Sequence, residues 1–193
     1  MSPSGSSRAT GQASSGSLYV VSGRSTRQRR RPLLLTSCVS WSKPGERATD
    51  LYAGVGLFAL ALADAVGTTG AVLAIESDAR AFGDAKANLR AHPEIELRRG
   101  KVDRVLKPLV RQEIHSDLVV LDPPRTGAGK SVIKDIAALR PRAVAYVACD
   151  PAALARDVAY ARNVGYGIRS LRAFDAFPMT HHVECIAILE PLT

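Results

Sequence analysis

Ala143-Val-Ala-Tyr-Val-Ala148 is an apolar run that breaks off at Cys149-Asp150-Pro151. Uninterrupted apolar runs of this length are typical of parallel strands that are buried on both faces. Ligands of open α/β sheets bind just outside the carboxyl ends of such strands. The sequence therefore predicts that the thiol of Cys149 faces a cleft at a strand end and does not pack in a core.

Three other segments also end as an apolar strand followed by polar or glycine residues. They are Asp50-Leu-Tyr-Ala-Gly-Val-Gly56, Ala74-Ile-Glu76 and Val119-Val-Leu-Asp-Pro-Pro-Arg125. Because the carboxyl ends of parallel strands meet at one edge of a sheet, the four segments predict a single shared cleft. A cleft that receives a nucleophilic thiol favours an enzyme.

The chain has 193 residues, which is long enough for one domain with a well-buried core. Its net charge of +8 is unevenly distributed: residues 1–49 have a balance of +7, whereas residues 50–193 have a balance of +1. No apolar stretch approaches the roughly 18 residues of a membrane span. The sequence therefore predicts no membrane partner, and we expect a cytoplasmic monomer.

Residues 1–45 are rich in Ser, Gly and Arg, and they include the block Arg24-Ser-Thr-Arg-Gln-Arg-Arg-Arg31. Because like charges repel and little apolar surface is available, we expect a basic segment without stable structure. A transit peptide and an RNA-binding arm remain alternatives for it. Residues 46–193 are expected to form the folded domain.

The three cysteines, Cys38, Cys149 and Cys185, predict a reduced compartment and no metal site. Their odd number and the lack of a Cys-x-x-Cys spacing argue against a disulfide framework and against zinc. Cys185 is expected in the core, and Cys38, in the basic segment, is expected to have no role. His181-His182 resembles a metal-binding pair, but no third ligand has suitable spacing.

From Glu46 onward the pattern alternates between strands and helices. Strands are predicted near 47–52, 71–76, 95–98, 117–122, 143–148, 168–173 and 183–189, and helices near 56–66, 78–91, 103–112, 130–138 and 151–163. Such alternation predicts a mostly parallel sheet with helices on both faces. The last two strands have no helix between them, which predicts an antiparallel final strand. The expected fold is an α/β, Rossmann-like, seven-stranded sheet of the kind typical of methyltransferases.

Gly54-Val-Gly56, after the first predicted strand, is suited to a close backbone approach to a ligand. Glu76 lies twenty residues beyond Gly56, where an acid can bind the ribose hydroxyls of an adenosine cofactor. These features fit both NAD and S-adenosylmethionine. Asp50 and Asp122 favour S-adenosylmethionine, because an acid before the turn suits an ammonium group and Asp122 has no role in dinucleotide binding.

Methylation of uracil at C5 requires three things at one strand edge: a thiolate that adds to C6, a base that removes the C5 proton, and a methyl donor. Cys149 and Glu184 supply a thiol and a carboxylate, and the Gly54–Gly56 turn leads into the same edge.

Four motifs, in this order, resemble the RNA uracil-C5 (5-methyluridine) methyltransferases, which use S-adenosylmethionine to modify tRNA or 23S rRNA. They are Asp50-Leu-Tyr-Ala-Gly-Val-Gly, Leu121-Asp-Pro-Pro-Arg125, Tyr146-Val-Ala-Cys-Asp-Pro151 with Ala155-Arg-Asp157, and Phe177-Pro-Met-Thr-His-His-Val-Glu184. The resemblance covers residues 46–190. It implies that Cys149 is the nucleophile, that Glu184 is the proton-abstracting base, and that Tyr52, Glu76 and Asp122 contact the methyl donor.

The sequence also departs from the family pattern. The family's N-terminal oligonucleotide-binding barrel and its Phe-x-Gln segment have no match, Leu57 stands where an Asn is frequent, and Ala53 where a Cys is frequent. A truncated or rearranged gene product is therefore a second hypothesis: a remnant that folds, binds S-adenosylmethionine and does not catalyse. An NAD-dependent enzyme is a third.

Overall fold

The computed structural model describes residues 31–175 and 183–192, which form seven strands and six helices. The strands are β1 (Arg47–Leu51), β2 (Ala71–Glu76), β3 (Ile95–Arg99), β4 (Leu118–Leu121), β5 (Ala143–Ala148), β6 (Tyr166–Asp175) and β7 (Val183–Pro191). The helices are α1 (Arg31–Val39), α2 (Leu57–Val66), α3 (Ala79–Leu89), α4 (Val102–Arg111), α5 (Gly129–Ala138) and α6 (Pro151–Arg162).

The strands form one sheet in the order β3-β2-β1-β4-β5-β7-β6. The first five of these are parallel, and β7 runs antiparallel to both of its neighbours, β5 and β6. Each predicted strand and helix overlaps an observed one. The prediction of a seven-stranded Rossmann-like α/β fold with an antiparallel final strand is confirmed.

Side-chain caps fix where two of the helices begin. The Asp78 carboxylate accepts hydrogen bonds from the amides of Arg80 and Ala81 at the start of α3. The Asp150 carboxylate accepts one from the amide of Ala153, at 2.7 Å, at the start of α6. Acidic side chains in these positions satisfy amides that have no partner within the helix. Because Asp150 follows Cys149 directly, the second cap also fixes the backbone beside the thiol.

The core consists of two apolar layers, one on each face of the sheet. Every residue of β4 and β5 is buried, as the apolar runs predict. On one face, Leu106, Leu121 and Tyr146 belong to the layer beneath α4, α5 and α6. On the other face, Leu60 and Val120 belong to the layer beneath α1, α2 and α3. Burial on both faces leaves the strand ends as the place where polar groups of the sheet meet a ligand.

The prediction that residues 1–45 lack stable structure is wrong for residues 31–39, which form α1. Cys38 is fully buried in the layer that includes α2, so the prediction that it has no role is also wrong. Arg142 fastens the segment after α1: its guanidinium donates to the carboxylate of Glu46, at 2.6 and 2.7 Å, and to the carbonyl of Trp41. The prediction rested on the average basic composition of residues 1–45, which does not reveal these local contacts. Residues 1–30 lie outside the described residues.

Candidate active site

Cys149 and Glu184 lie side by side at the carboxyl end of β5. The antiparallel pairing of β5 with β7 ends with Ala148 opposite Cys185. Cys149 follows this pair and Glu184 precedes it, so the next position of the ladder brings the two together. Both residues are half-buried, and the Glu184 carboxylate acts electrostatically on the thiol. The arrangement thus places a thiol next to a carboxylate, the pair of groups that the sequence predicts for the nucleophile and the base.

The charges around Cys149 disfavour its thiolate. Burial raises the pKa of the Cys149 thiol, and the carboxylates of Glu184 and Asp122 raise it further, whereas the guanidinium of Arg125 lowers it. Two negative groups and one positive group therefore act on the sulfur. A cationic ligand group that enters this cleft favours the thiolate, since the nearby negative charge is then offset.

Asp50 is a buried carboxyl with no internal partner. It is 1% exposed, and neither of its carboxylate oxygens has a hydrogen-bond partner. Burial, with the nearby charges of Asp122 and Glu76, raises the pKa of Asp50 to about 8. The amide of Ala59 acts in the opposite direction and lowers this pKa, but its geometry does not meet the criteria of a hydrogen bond. Buried polar groups normally have partners. A carboxyl without one, at a strand end, fits the ammonium group of a ligand.

Glu76 anchors the glycine turn to the end of β2. Its carboxylate accepts hydrogen bonds from the amides of Gly54, at 2.7 Å, and Asp78, at 2.6 Å. Gly54 has a φ of 57°, and a Cβ built there meets nothing within 4 Å, so the turn is open on this side. Gly56, with a φ of 88°, precedes α2, and its added Cβ would lie 3.0 Å from the Leu89 side chain. Each oxygen of Glu76 keeps a second lone pair for a ligand hydroxyl.

Asp122 lies between the two halves of the site. It follows β4 directly, and its amide donates to the carbonyl of Leu51 at 3.3 Å. Its exposed carboxylate acts electrostatically on both Asp50 and Cys149. One acid thus raises the pKa values of both the buried Asp50 carboxyl and the Cys149 thiol.

A cleft of about 500 Å³ opens at the same edge of the sheet, within the size range of cofactor sites. Tyr52, Ser77 and Asp103 contribute to its lining, together with residues 128–132 at the start of α5. Tyr52 has a φ of 64°, which is rare for a bulky residue and indicates backbone strain of the kind found at binding sites. Burial, with the nearby Asp103 and Asp157, raises the pKa of Tyr52 to about 12.

Sequence reasoning missed a cluster of polar groups centred on Asp157. This residue is fully buried in α6, and its carboxylate accepts from the Tyr146 hydroxyl at 2.8 Å and from the amides of Ala128 and Gly129 at 2.7 and 3.1 Å. The guanidinium of Arg156 pairs with it at 2.8 Å. Arg156 and Asp157 belong to the motif Ala155-Arg-Asp157, but nothing in the sequence indicates that this pair contacts the β4–α5 loop, residues 122–128.

The predicted site residues that the structure describes lie at or next to strand ends on one edge of the sheet, and of these residues Tyr52 lines the 500 Å³ cleft. They are Asp50, Tyr52, Gly54, Gly56, Glu76, Asp122, Cys149 and Glu184. Residues 176–182, including His181 and His182, lie outside the described residues. Within the described part of the chain, no group of three or more His, Cys, Asp or Glu residues has a geometry that would hold a metal ion. There, too, no helix has both the length and the apolar character needed to cross a bilayer.

A seven-stranded sheet in this order, with a cofactor-type turn after its first strand, defines the Rossmann-like methyltransferase class of α/β proteins. Within that class, the chain belongs to the tRNA (uracil-5-)-methyltransferase family, whose profile matches residues 41–191.

Comparisons with individual relatives agree with this placement. An uncharacterised RNA methyltransferase of Streptomyces avermitilis is 58% identical over 149 residues, which cover 77% of this chain and 34% of that protein. One from Streptomyces coelicolor is 56% identical over 77% of this chain and 32% of its own length. The chain thus spans about a third of the length of the curated relatives it matches.

Solved structures show the same similarity. The Pyrococcus abyssi tRNA (uracil-54, C5)-methyltransferase, in complex with S-adenosyl-L-homocysteine, has a TM-score of 0.68 and 30% identity, covering 81% of this chain and 37% of that one. Aeropyrum pernix fibrillarin, with natively bound S-adenosyl-L-methionine, has a TM-score of 0.64 at 16% identity, covering 81% of this chain and 74% of that one. The fibrillarin likeness shows the fold alone.

Proposed function

We propose that this chain transfers a methyl group from S-adenosylmethionine to C5 of a uridine in structured RNA, by way of a covalent bond between Cys149 and C6 of the base. The observation that carries this proposal is the adjacency of Cys149 and Glu184 at the end of β5. Membership of the uracil-5 family supports the reaction, and the family's description favours tRNA over 23S rRNA as the substrate.

The residues around the glycine turn fit S-adenosylmethionine. The buried, unpartnered carboxyl of Asp50 would bind the ammonium group, and Glu76 would bind the ribose hydroxyls beside the turn that it anchors. Tyr52 and Asp122 would contact the same ligand from either side. Bound there, S-adenosylmethionine supplies an electrophilic methyl group and a positive charge.

The protein's own groups carry the other steps. The Cys149 thiolate adds to C6 of the uracil, and the electron pair of the C5–C6 double bond moves to C5. This carbon would take up the methyl group as the sulfur–methyl bond of S-adenosylmethionine breaks, which would leave S-adenosylhomocysteine. Glu184 then accepts the remaining proton from C5, the double bond re-forms, and the sulfur leaves as a thiolate. The target base has to be flipped out of its stack to reach the thiol.

RNA that contains 5-fluorouridine tests this chemistry, because the fluorine cannot leave as a proton does and the adduct persists. We expect the chain, with S-adenosylmethionine and fluorinated tRNA, to form a species of higher mass on a denaturing gel. Cys149→Ala should abolish it, while Cys185→Ala, which removes a buried thiol on β7, should preserve it. An adduct that persists in Cys149→Ala would refute the role of Cys149.

A non-catalytic remnant that binds S-adenosylmethionine is the second candidate. It is favoured by the departures from the family pattern within the matched region, at Leu57 and Ala53. Calorimetric titration with S-adenosylmethionine, followed by methyl transfer to unmodified tRNA and to unmodified 23S rRNA, separates the two candidates. Binding without transfer to either RNA supports the remnant, and transfer to one of them identifies the substrate.

A further inference from the structure

The β4–α5 loop, residues 122–128, borders both halves of the site. Its first part carries Asp122 and Arg125, which act electrostatically on Cys149. Its last residue, Ala128, lines the cleft beside Tyr52 together with the first residues of α5. The position of this loop therefore affects the thiol and the cofactor cleft at the same time.

Asp157, on α6, holds the end of the loop and the start of α5 through several hydrogen bonds. Its Oδ2 atom accepts from the amides of Ala128 and Gly129 and from the hydroxyl of Tyr146, while its Oδ1 atom accepts from the guanidinium of Arg156 at 2.8 and 3.1 Å. Burial alone would raise the pKa of Asp157, but the bonds to Arg156 and Tyr146 hold it below its usual range. The carboxylate is therefore charged, and charge-assisted bonds are the stronger ones.

Arg156 and Gly127 complete this attachment. The Arg156 guanidinium also donates to the carbonyl of Thr126 at 2.7 Å. Gly127 has a φ of 78°, and a Cβ built on it would lie 2.5 Å from Arg156 Nη2 and 2.6 Å from Asp157 Oδ2. The loop thus sits directly on the Arg156–Asp157 pair, without room for a side chain between them.

The same helix fixes the thiol. Cys149 and its neighbour Asp150, which caps α6, immediately precede the helix, and Asp157 follows about two turns later. A rigid helix therefore connects the backbone beside the sulfur to the group that holds the loop. We propose that Asp157 is a positioning residue: through Tyr146 and Arg156 it sets the β4–α5 loop so that Arg125 faces Cys149. This role rests on the proposed function, since it prepares the thiol for addition to uracil.

Loss of the hydrogen bonds between the loop and the Arg156–Asp157 pair should raise the pKa of the Cys149 thiol. Asp122 follows β4 and is bonded to Leu51, so it stays near the sulfur when the loop moves. Arg125 belongs to the part of the loop that Arg156 and Asp157 hold through Thr126 and Ala128, so we expect it to move away from the sulfur when that part of the loop shifts. The sulfur then keeps its negative neighbours and loses its positive one. The thiolate becomes harder to form, and Cys149 becomes less reactive.

Two tyrosines provide a matched test. Tyr146 and Tyr166 are both buried, and each donates one hydroxyl hydrogen bond, Tyr146 to Asp157 at 2.8 Å and Tyr166 to the Pro141 carbonyl at 2.7 Å. Tyr146→Phe and Tyr166→Phe therefore delete the same chemical group, but only the Tyr146 hydroxyl also contacts the loop, where it accepts a hydrogen bond from the amide of Ala128 at 3.2 Å. The measurement is the pH dependence of the rate at which iodoacetamide alkylates Cys149, followed by mass spectrometry of the peptide that contains it.

We expect Tyr146→Phe to raise the apparent pKa of Cys149 by about half a unit, as for loss of a partly exposed charge contact, and Tyr166→Phe to leave it unchanged. In methyl transfer, Tyr146→Phe should lower kcat about tenfold with little change in the KM for RNA, since misplacement affects the reacting atoms. Equal shifts in both variants, or no shift in Tyr146→Phe, would overturn the inference.

Asp157→Asn should show the same upward shift, and more strongly, because Tyr146→Phe leaves the bonds of Asp157 to Ala128, Gly129 and Arg156 in place. A folded Asp157→Asn without this shift would overturn the role of Asp157; if this variant does not fold, Tyr146→Phe decides for the Tyr146–Asp157 pair. The alkylation profile does not depend on methyl transfer. If the chain methylates no RNA but Tyr146→Phe still shifts the Cys149 profile, the proposed function fails and the positioning role of Asp157 stands.

Discussion

Asp50 combines an energetic cost to folding with a proposed role in binding the cofactor. A carboxyl whose pKa is raised to about 8 by burial is mostly protonated at neutral pH, and the folded chain binds its proton more tightly than the unfolded chain does. Between the usual pKa of an aspartate and about 8, this residue therefore lowers the free energy of unfolding as the pH rises. A buried carboxyl that destabilises the fold in this way is typical of a group that binds a ligand.

If Asp50 binds the ammonium group of S-adenosylmethionine, binding favours the carboxylate and releases a proton below pH 8. We expect the affinity to rise with pH and to level off above about 8, and Asp50→Asn to bind more weakly with a flatter dependence. Calorimetric titrations in buffers of different ionisation enthalpy measure the proton released. An unchanged pH dependence in Asp50→Asn would contradict this assignment.

Glu184 is expected to act after methyl transfer, because its proposed role is to remove the C5 proton. Glu184→Gln should therefore attach a methyl group but release the RNA slowly, so that protein bound covalently to RNA accumulates on a denaturing gel. Glu190→Gln, on the same strand but paired with Arg169 at its far end, is the control and should turn over normally. Normal turnover by Glu184→Gln would remove this carboxylate from the mechanism.

At the level of single residues, the sequence predicted candidate site residues where residue type and position next to a strand indicate a chemical role. Cys149 follows an apolar run and Glu184 lies near the start of the last strand, and these positions predict that both side chains lie at the carboxyl edge of the sheet. The cluster around Asp157 could not be predicted, because its contacts join α6 to a loop some 28 residues earlier and only the folded chain brings them together. The hydrogen bonds from the amides of Gly54 and Asp78 to the Glu76 carboxylate could not be predicted either, because they too form only in the folded chain.

At the level of elements, two glycines have opposite expected responses to alanine. Gly56, before α2, has a positive φ, and an added methyl group would contact Leu89 at 3.0 Å. Gly83, inside α3, has no atom within 4 Å of an added Cβ. We expect Gly56→Ala to lower the free energy of unfolding by about 1–3 kcal/mol and Gly83→Ala to raise it by about 0.5–1 kcal/mol.

Urea unfolding at equilibrium measures both changes. A stabilising Gly56→Ala would show that the turn after β1 relaxes without cost, which conflicts with the contact to Leu89. If Gly56→Ala folds but binds S-adenosylmethionine poorly while Gly83→Ala binds normally, the turn contributes to the cofactor site as well as to the helix.

The sheet was the most predictable part of the molecule, because its strands are short apolar runs with distinct ends. The exception was α1. Its few apolar residues follow an arginine block, so composition suggested an unfolded segment, whereas burial of Cys38 and the Arg142–Glu46–Trp41 contacts hold the segment against the domain. Helix formation there depends on tertiary packing, which a local pattern does not contain.

At the level of the whole molecule, ligand binding across the strand ends should stabilise the fold. We expect S-adenosylmethionine at a hundred times its Kd to raise the free energy of unfolding by about 2.7 kcal/mol, as measured by urea unfolding. NAD contains the same adenosine ribose but no amino-acid ammonium group, so it should have little effect. Stabilisation by NAD alone would favour the dinucleotide reading of the Gly54–Gly56 turn.

The antiparallel course of β7 has a consequence for how the chain tolerates changes in length. Successive side chains of a strand point to opposite sides of a sheet, so one residue inserted between Glu184 and Cys185 would turn the carboxylate towards the α4–α6 side, away from the sulfur. Two inserted residues would restore its direction but displace it beyond the end of β5. Laboratory libraries that vary the length of this strand should therefore lose the proposed methyl transfer at every added residue, even where the fold survives.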